Sequence, residues 1–197
     1  MGRWEPNARG RLEQAAMELY RERGFEQTTA AQIASRAGLT ERTFFRHYAD
    51  KREVLFAGAA QLEKLFVDTL AGVPAAATPL EAVAATLAGV AEVFAGRYEF
   101  ARQRQEIILA NEELRERELI KLAAISARLA EGLRRRGVAE PAASLAGEAG
   151  IAVFKVGFEQ WVGVDAGGGG VPGGKGGRSL GEFVGEALGE LRVVVGG

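Results

Sequence analysis

The sequence has no cysteine and only one histidine, His47. Without cysteine the chain can form no disulfide, no thiolate metal site and no cysteine nucleophile, and nothing points to an oxidising compartment. A single histidine also leaves an acid–base enzyme or a metal cluster without its usual side chains. The missing residue types therefore predict a protein that is not an enzyme and that holds neither a metal nor a cofactor.

Long apolar runs are also missing. The most apolar stretch, residues 82–95, is interrupted by Glu92 and is too short to span a bilayer. Residues 1–11 lack the apolar centre of a signal peptide. These features predict a soluble, cytoplasmic protein with no membrane partner.

The chain has little net charge, with 25 Lys and Arg against 26 Asp and Glu. Residues 1–56 hold ten basic and eight acidic side chains, whereas the rest of the chain holds 15 and 18. The small basic excess at the N-terminal end predicts weak non-specific binding to nucleic acid. Affinity for DNA would then depend on a few well-placed contacts.

The sequence does contain a series of amphipathic helix patterns, and no alternating strand pattern accompanies them. We predict an all-α fold of about nine helices. Residues 1–50 would form a helix-turn-helix headpiece, and residues 51–197 a larger helical domain. A helix over residues 51–72 is expected to link the two, and the glycine-rich residues 166–178 to form a flexible loop.

The helix-turn-helix prediction rests on residues 29–53, where two short helix signals flank a tight turn. Thr29 and Gln32 have the spacing of a capping box that opens the first helix. Gly38 can take the positive φ that ends it, and Thr40 can cap the second helix. Two short helices joined in this way form the motif that reads DNA in the major groove.

The second helix, from about residue 41 to residue 47, divides its side chains between two faces. Phe44 and Tyr48 lie four residues apart and are predicted to pack inward. Arginine, threonine and aromatic side chains on the other faces suit base edges and phosphates. The residues predicted to face DNA from this helix are Arg42, Thr43, Phe45, Arg46 and His47. Taken singly, however, each arginine also fits a solvated surface, and a lone histidine is more often structural.

The N-terminal segment resembles the TetR family of one-component regulators over about residues 9–56. Three parts carry the resemblance: ERGFEQTT between the first two helices, IASRAGLT across the turn, and TFFRHYADKREVL from the recognition helix onward. The resemblance implies a homodimer that places its third helices in successive major grooves of double-stranded DNA. It also implies that residues 51–197 form a domain for ligand binding and dimerisation. It implies groove contacts for Thr40, Arg42, Thr43 and Phe45, and phosphate contacts for Thr29, His47 and Lys51.

Two positions depart from the family pattern. Many members have a glycine where Arg42 stands, so this side chain either adds a contact or alters the approach to the DNA backbone. Many also have a tyrosine where Phe45 stands. Without the hydroxyl, Phe45 loses a phosphate bond and keeps only an apolar contact with a base.

The last two predicted helices, at about residues 141–163 and 179–194, are assigned by the resemblance to a homodimer interface. Both carry small residues every four positions, which would allow helices to approach closely. These residues are Ala142, Ala146 and Gly150 on the first helix and Gly181, Gly185 and Gly189 on the second. A composition rich in alanine and glycine would produce the same stripes without any interface.

Residues 100–161 resemble, more diffusely, a TetR subgroup with acyl-CoA-like ligands. This resemblance implies a mostly apolar effector pocket in the C-terminal domain, with an arginine for a phosphate. The residues predicted to line it are Phe66, Phe94, Arg102 and Leu122. Ordinary core packing for the apolar side chains and solvent exposure for the arginine are the alternatives.

Together these features predict a ligand-responsive transcriptional regulator. In the family's usual pattern it would be a repressor, released from a palindromic operator by a small apolar or acyl-CoA-like effector. The alternative is a helical small-molecule-binding or interaction protein without sequence-specific DNA binding. The sequence leaves the operator, the effector and the sign of regulation open.

Overall fold

The computed structural model describes residues 7–163 and 177–196, and within those ranges every regular element is an α-helix. The helices are α1 (Ala8–Arg23), α2 (Ala30–Arg36), α3 (Glu41–His47), α4 (Lys51–Leu55), α5 (Ala59–Gly72), α6 (Pro79–Glu92), α7 (Tyr98–Leu109), α8 (Glu112–Arg135), α9 (Ala142–Gly163) and α10 (Leu180–Gly196). The predicted all-α fold is confirmed. None of the described helices is long and apolar enough to cross a bilayer. The predicted glycine-rich loop lies almost wholly outside the described residues.

The predicted single helix over residues 51–72 is wrong, because a turn at residues 56–58 divides it into α4 and α5. Phe56 leaves the helical conformation with φ −108° and ψ 15°, and its ring is buried. Gly58 follows in the turn, where its low helix propensity favours the break. This division accounts for a tenth helix where about nine were predicted.

The chain forms two compact units that differ from the predicted division at residue 50. The headpiece unit holds residues up to Ala59 together with Gln103–Glu118. The C-terminal unit holds Ala60–Arg102 and the chain from Leu119 onward. Helices α7 and α8 therefore each contribute residues to both units.

The core of the headpiece unit is built where α1 packs on α2 and α4, and α2 packs on α3. Its fully buried side chains include two from the α7–α8 segment in addition to those of the first helices. They are Leu12, Ile33, Phe44, Ile108 and Leu114. The segment 103–118 thus completes the headpiece core.

Side-chain caps begin the three short helices of the headpiece unit. Thr29 Oγ1 accepts from the Gln32 amide at 3.2 Å, and Thr40 Oγ1 accepts from the Thr43 amide at 3.2 Å. Asp50 caps α4, as described below. Helices of five to seven residues are unstable alone, so these caps and the shared core maintain them. The capping predictions for Thr29 and Thr40 are confirmed.

Glycine allows close helix contact inside the C-terminal unit, where α9 packs on α10 and α6. A Cβ on Gly157 would lie 2.8 Å from the Val184 Cα, which is too close for any side chain. A Cβ on Gly150 would lie 2.7 Å from Val83 Cγ1 of α6. Gly150 of the predicted small-residue stripe therefore allows close approach to α6 within its own unit, and the homodimer interface of α9 and α10 stays a prediction.

Candidate DNA-binding surface

Helix α3 separates a buried face from an exposed face as its sequence predicts. Phe44 is fully buried, and its ring lies 5.7 Å from the ring of buried Tyr48. The Tyr48 hydroxyl donates to Glu13 Oε1 of α1 at 2.8 Å. One aromatic face and one hydrogen bond thus fix the rotation of α3 on the headpiece.

The opposite face of α3 presents a chemically mixed surface. Arg42, Arg46 and His47 are exposed, and Thr43 is half-buried. Phe45 is 52% exposed although it follows buried Phe44, and the two rings meet edge-on at 5.4 Å. Cations beside an open aromatic ring can contact phosphates, guanine and thymine methyl groups together.

The threonines predicted to contact DNA lie where α2 and α3 begin. The Thr40 and Thr43 hydroxyls lie 3.0 Å apart at the start of α3. Thr29 is exposed at the start of α2 while its oxygen accepts from the Gln32 amide. A capping hydroxyl accepts one hydrogen bond and still carries a proton to donate, so capping and phosphate binding are compatible for Thr29.

Lys51 has a structural role that the sequence does not predict. Its ammonium donates to the carbonyl oxygens of Phe25, Glu26 and Thr28 at 2.8, 3.2 and 3.0 Å. The same ammonium lies 4.3 Å from the centre of the Phe25 ring. These three bonds use all three protons of the side chain and tie the α1–α2 connection to α4.

Two further polar groups hold α4 in place. The Tyr20 hydroxyl donates to the Lys51 carbonyl at 2.6 Å, and burial raises the pKa of this phenol, so it remains a donor. Asp50 accepts from the amides of Arg52 and Glu53 at 2.8 and 3.1 Å. Burial acts to raise the pKa of Asp50, but hydrogen bonds from the Arg52 side chain and the Glu53 backbone outweigh it and lower the pKa.

Ion pairs join α4 to the segment 103–118 within the headpiece unit. Arg52 pairs with Glu113, and Glu53 pairs with Arg117. Each pair is partly exposed, so its individual contribution to stability is small. In the first pair α4 supplies the cation, and in the second pair it supplies the anion. The two pairs therefore favour a single alignment of α4 against residues 103–118.

Arg104 is the most enclosed cation of this segment. Its Nε donates to the Leu55 carbonyl at 2.8 Å, and its Nη1 lies 2.9 Å from Glu118 Oε1. The guanidinium also lies 5.1 Å from the centre of the Phe56 ring. Arg104 therefore donates a hydrogen bond to a carbonyl group at the C-terminal end of α4. Its guanidinium also covers the ring of Phe56, the residue at which the helix ends.

The predicted effector residues lie in the C-terminal unit. The ring centres of Phe66 and Phe94 lie 5.4 and 6.0 Å, respectively, from the ring centre of Phe154. Leu122 packs, partly buried, against the same core. Arg102 is half-buried and pairs with Glu99 on the preceding turn of α7 at 3.4 Å. The structure thus brings the three apolar residues to one core.

Four aromatic residues of this core were missed at the sequence level. Three of them, on α9, recur at i, i+4 and i+7, a spacing that places them on one helix face and could have revealed them. Together with Phe66 and Phe94 they form a connected set of rings, which we call the aromatic cluster. The missed members are Tyr98, Phe154, Phe158 and Trp161.

Comparison with known proteins finds similar sequences for the N-terminal part of the chain. Residues 13–57 match the family model for bacterial regulatory proteins of the tetR family. An 82-residue segment is 37% identical to the HTH-type transcriptional regulator TcmR of Streptomyces glaucescens. That match covers 42% of this chain and 36% of TcmR, so it spans about a third of the relative's length.

Solved structures resemble a larger part of the chain. Thermus thermophilus FadR, a TetR family transcriptional repressor in complex with lauroyl-CoA, is 28% identical with a TM-score of 0.54. The match covers 93% of this chain and 92% of that one. A TetR-family regulator from Syntrophomonas wolfei matches with a TM-score of 0.62 at 18% identity, over 96% and 95% of the two chains. The second likeness shows the fold alone.

Proposed function

We propose that this chain, whose residues 13–57 match the tetR family model, is a TetR-family, ligand-responsive DNA-binding transcriptional regulator. The exposed face of α3 carries the proposal, because its cations and open aromatic ring occupy the helix that enters the major groove in this motif. Arg42 and Arg46 lie one turn apart on that face. They would contact guanine or phosphate, while Phe45 contacts a thymine methyl group.

Four residues have narrower proposed roles. Thr43 would bond a base edge beside Thr40, since their hydroxyls already lie together at the start of α3. Thr29 and His47, both exposed, would bind phosphates. Lys51 would help chiefly by holding α4 in place, because its ammonium protons are all bonded to carbonyl groups.

We propose a homodimer that uses the outer faces of α9 and α10. Leu145 and Val156 are 66% and 45% exposed, and with Ala152 they form an apolar stripe at i, i+7 and i+11. On α10, a Cβ at Gly185 or Gly189 would meet nothing within 4 Å. A second copy would cover these faces, and its two-fold symmetry would match a palindromic operator.

The output would be repression that a small effector relieves. An effector can change DNA affinity only by binding one dimer geometry better than another. The lauroyl-CoA held by Thermus thermophilus FadR supports an apolar or acyl-CoA-like effector for this chain. Binding and release of DNA need no catalysis, so we propose a non-enzymatic protein that acts in the cytoplasm.

Footprinting on the DNA upstream of the gene tests this function. We expect a protected palindrome, which Arg42→Ala weakens by about tenfold or more, because one bidentate arginine contact contributes about 1–3 kcal/mol. Arg135→Ala, which removes an exposed arginine of the C-terminal unit, serves as the matched control and should leave the footprint unchanged. Binding that is sequence-blind and lost in salt would favour the helical interaction protein instead.

A further inference from the structure

The aromatic cluster contains a buried hydrogen-bond donor without a partner. Trp161 is 1% exposed, and its Nε1 has no acceptor among the residues that the structure describes. Buried indole N–H groups normally donate a hydrogen bond, and an unsatisfied one destabilises the fold. An acceptor supplied by a bound molecule would remove that cost.

Phe94 occupies the place that such a molecule would take. Its ring centre lies 6.0, 5.8 and 6.2 Å from those of Phe154, Phe158 and Trp161. Phe94 is only half-buried and lies in the turn between α6 and α7, where Gly96 has a φ of +73°. A rotation of its side chain would move the ring without breaking a helix, because Phe94 lies outside both helices.

We propose that the aromatic cluster is the effector site for a flat, uncharged aromatic molecule that carries a carbonyl oxygen. The rings of the molecule replace the Phe94 ring against Phe154 and Phe158, and its oxygen accepts a hydrogen bond from Trp161 Nε1. Ring edges and faces at these distances attract one another, which favours an aromatic ligand over a saturated chain. The inference rests on the proposed regulator and names the chemical class of its effector.

The six members of the cluster fit a neutral ligand. All are phenylalanine, tyrosine or tryptophan, and none carries a charge at neutral pH. Phe66 and Phe154 are fully or almost fully buried and would form the floor of the site. The unpartnered Trp161 Nε1 would then distinguish a ketone from the corresponding hydrocarbon.

Calorimetric titration of the full-length protein with 9-fluorenone and with fluorene tests this assignment. The two molecules share a flat ring system, and only fluorenone has a carbonyl oxygen. We expect fluorenone to bind about tenfold more tightly, a difference of about 1.4 kcal/mol. Equal affinities would overturn the proposal, and so would binding of lauroyl-CoA with no binding of either ring compound.

Three variants locate the binding within the cluster. Trp161→Phe should abolish the preference for fluorenone, so that fluorenone and fluorene bind with equal affinity. Phe94→Ala should strengthen binding of both compounds, because the competing ring is gone. Phe100→Ala, which removes a half-exposed ring outside the cluster, is the matched control and should change neither. A fluorenone preference that persists in Trp161→Phe would overturn the assignment.

An NMR measurement on the Trp161 indole tests the proposal even if Trp161→Phe does not fold. The chain has two tryptophans, so Trp4→Phe leaves Trp161 as the only indole signal in an NMR spectrum. Fluorenone should shift its N–H proton downfield and fluorene should not; no shift with bound fluorenone contradicts the proposal. These assays contain no DNA, so a failed footprint leaves the effector site standing, and failed titrations leave the regulator standing.

Discussion

The headpiece unit and the C-terminal unit are stabilised in different ways. The headpiece holds three helices of five to seven residues, each begun by a side-chain cap and tied by polar groups such as Lys51. The C-terminal unit has helices of up to 22 residues, packed through aromatic rings and glycine contacts. Short helices need directional bonds to hold their position, whereas long helices gain enough from apolar burial.

This difference separates stabilising residues from contact residues in the headpiece. Lys51, Tyr20 and Tyr48 direct their polar groups inward, to carbonyl or carboxylate oxygens. Arg42 and Arg46 are exposed on α3. The Tyr48 bond fixes the rotation of α3, and the bonds of Lys51 and Tyr20 hold α4, so the outward arginines proposed to meet DNA stand on an ordered helix.

The largest effect should come from the apolar core of the C-terminal unit. Phe66→Ala removes a fully buried ring that contacts Phe154, so we expect a loss of about 3–5 kcal/mol in the free energy of unfolding. Urea denaturation followed by circular dichroism measures this loss. Phe100→Ala, at a half-exposed ring, should cost less than about 1 kcal/mol, and equal losses would contradict the packing described.

A smaller effect should come from the hydrogen bonds of Lys51 in the headpiece unit. Lys51→Met keeps most of the apolar stem but removes the donor to three carbonyl groups, and should cost about 1–3 kcal/mol of stability. Lys64→Met is the control, because the Lys64 side chain is 74% exposed and pairs with Asp68 of its own helix. Unchanged stability with lost DNA binding would instead show that Lys51 serves the phosphate backbone.

The smallest effect should be a pH dependence at Asp50. The lowered pKa means that its carboxylate stabilises the fold above the ordinary pKa of aspartate, and this contribution is lost as pH falls through the folded value. Asp50→Ala should therefore cost about 1 kcal/mol near pH 7 and less below about pH 4. Thermal unfolding from pH 3 to pH 7 measures this, with exposed Asp68→Ala as control. A cost that does not change with pH would contradict the role of the charge.

Local signals made much of the headpiece predictable. The caps at Thr29 and Thr40 and the two faces of α3 depend on residues within four positions of one another, and all are confirmed. The bonds of Lys51 were not predictable, because their acceptors lie more than 20 residues away in the chain. Helix periodicity also cannot show that α7 and α8 supply part of the headpiece core.

The DNA contacts and the effector pocket stay predictions for a different reason. Residue type and exposure show that Arg42 can meet a phosphate or a base, but a contact also requires the partner. The arrangement of Phe94 and Trp161 likewise predicts the chemistry of a ligand, but a contact requires the ligand itself. The helix patterns predict an apolar C-terminal core, whereas the unpartnered indole depends on how distant parts of the chain pack together.

The contribution of residues 103–118 to the headpiece also bears on how the protein is made. Ile107, Ile108 and Leu114 are buried in the same core as the first helices. During synthesis that core cannot close until about residue 118 has left the ribosome, although its first helix emerges much earlier. A gene fragment that ends at Ala59 would therefore yield a product with an uncovered apolar surface, prone to aggregate before it could meet any promoter.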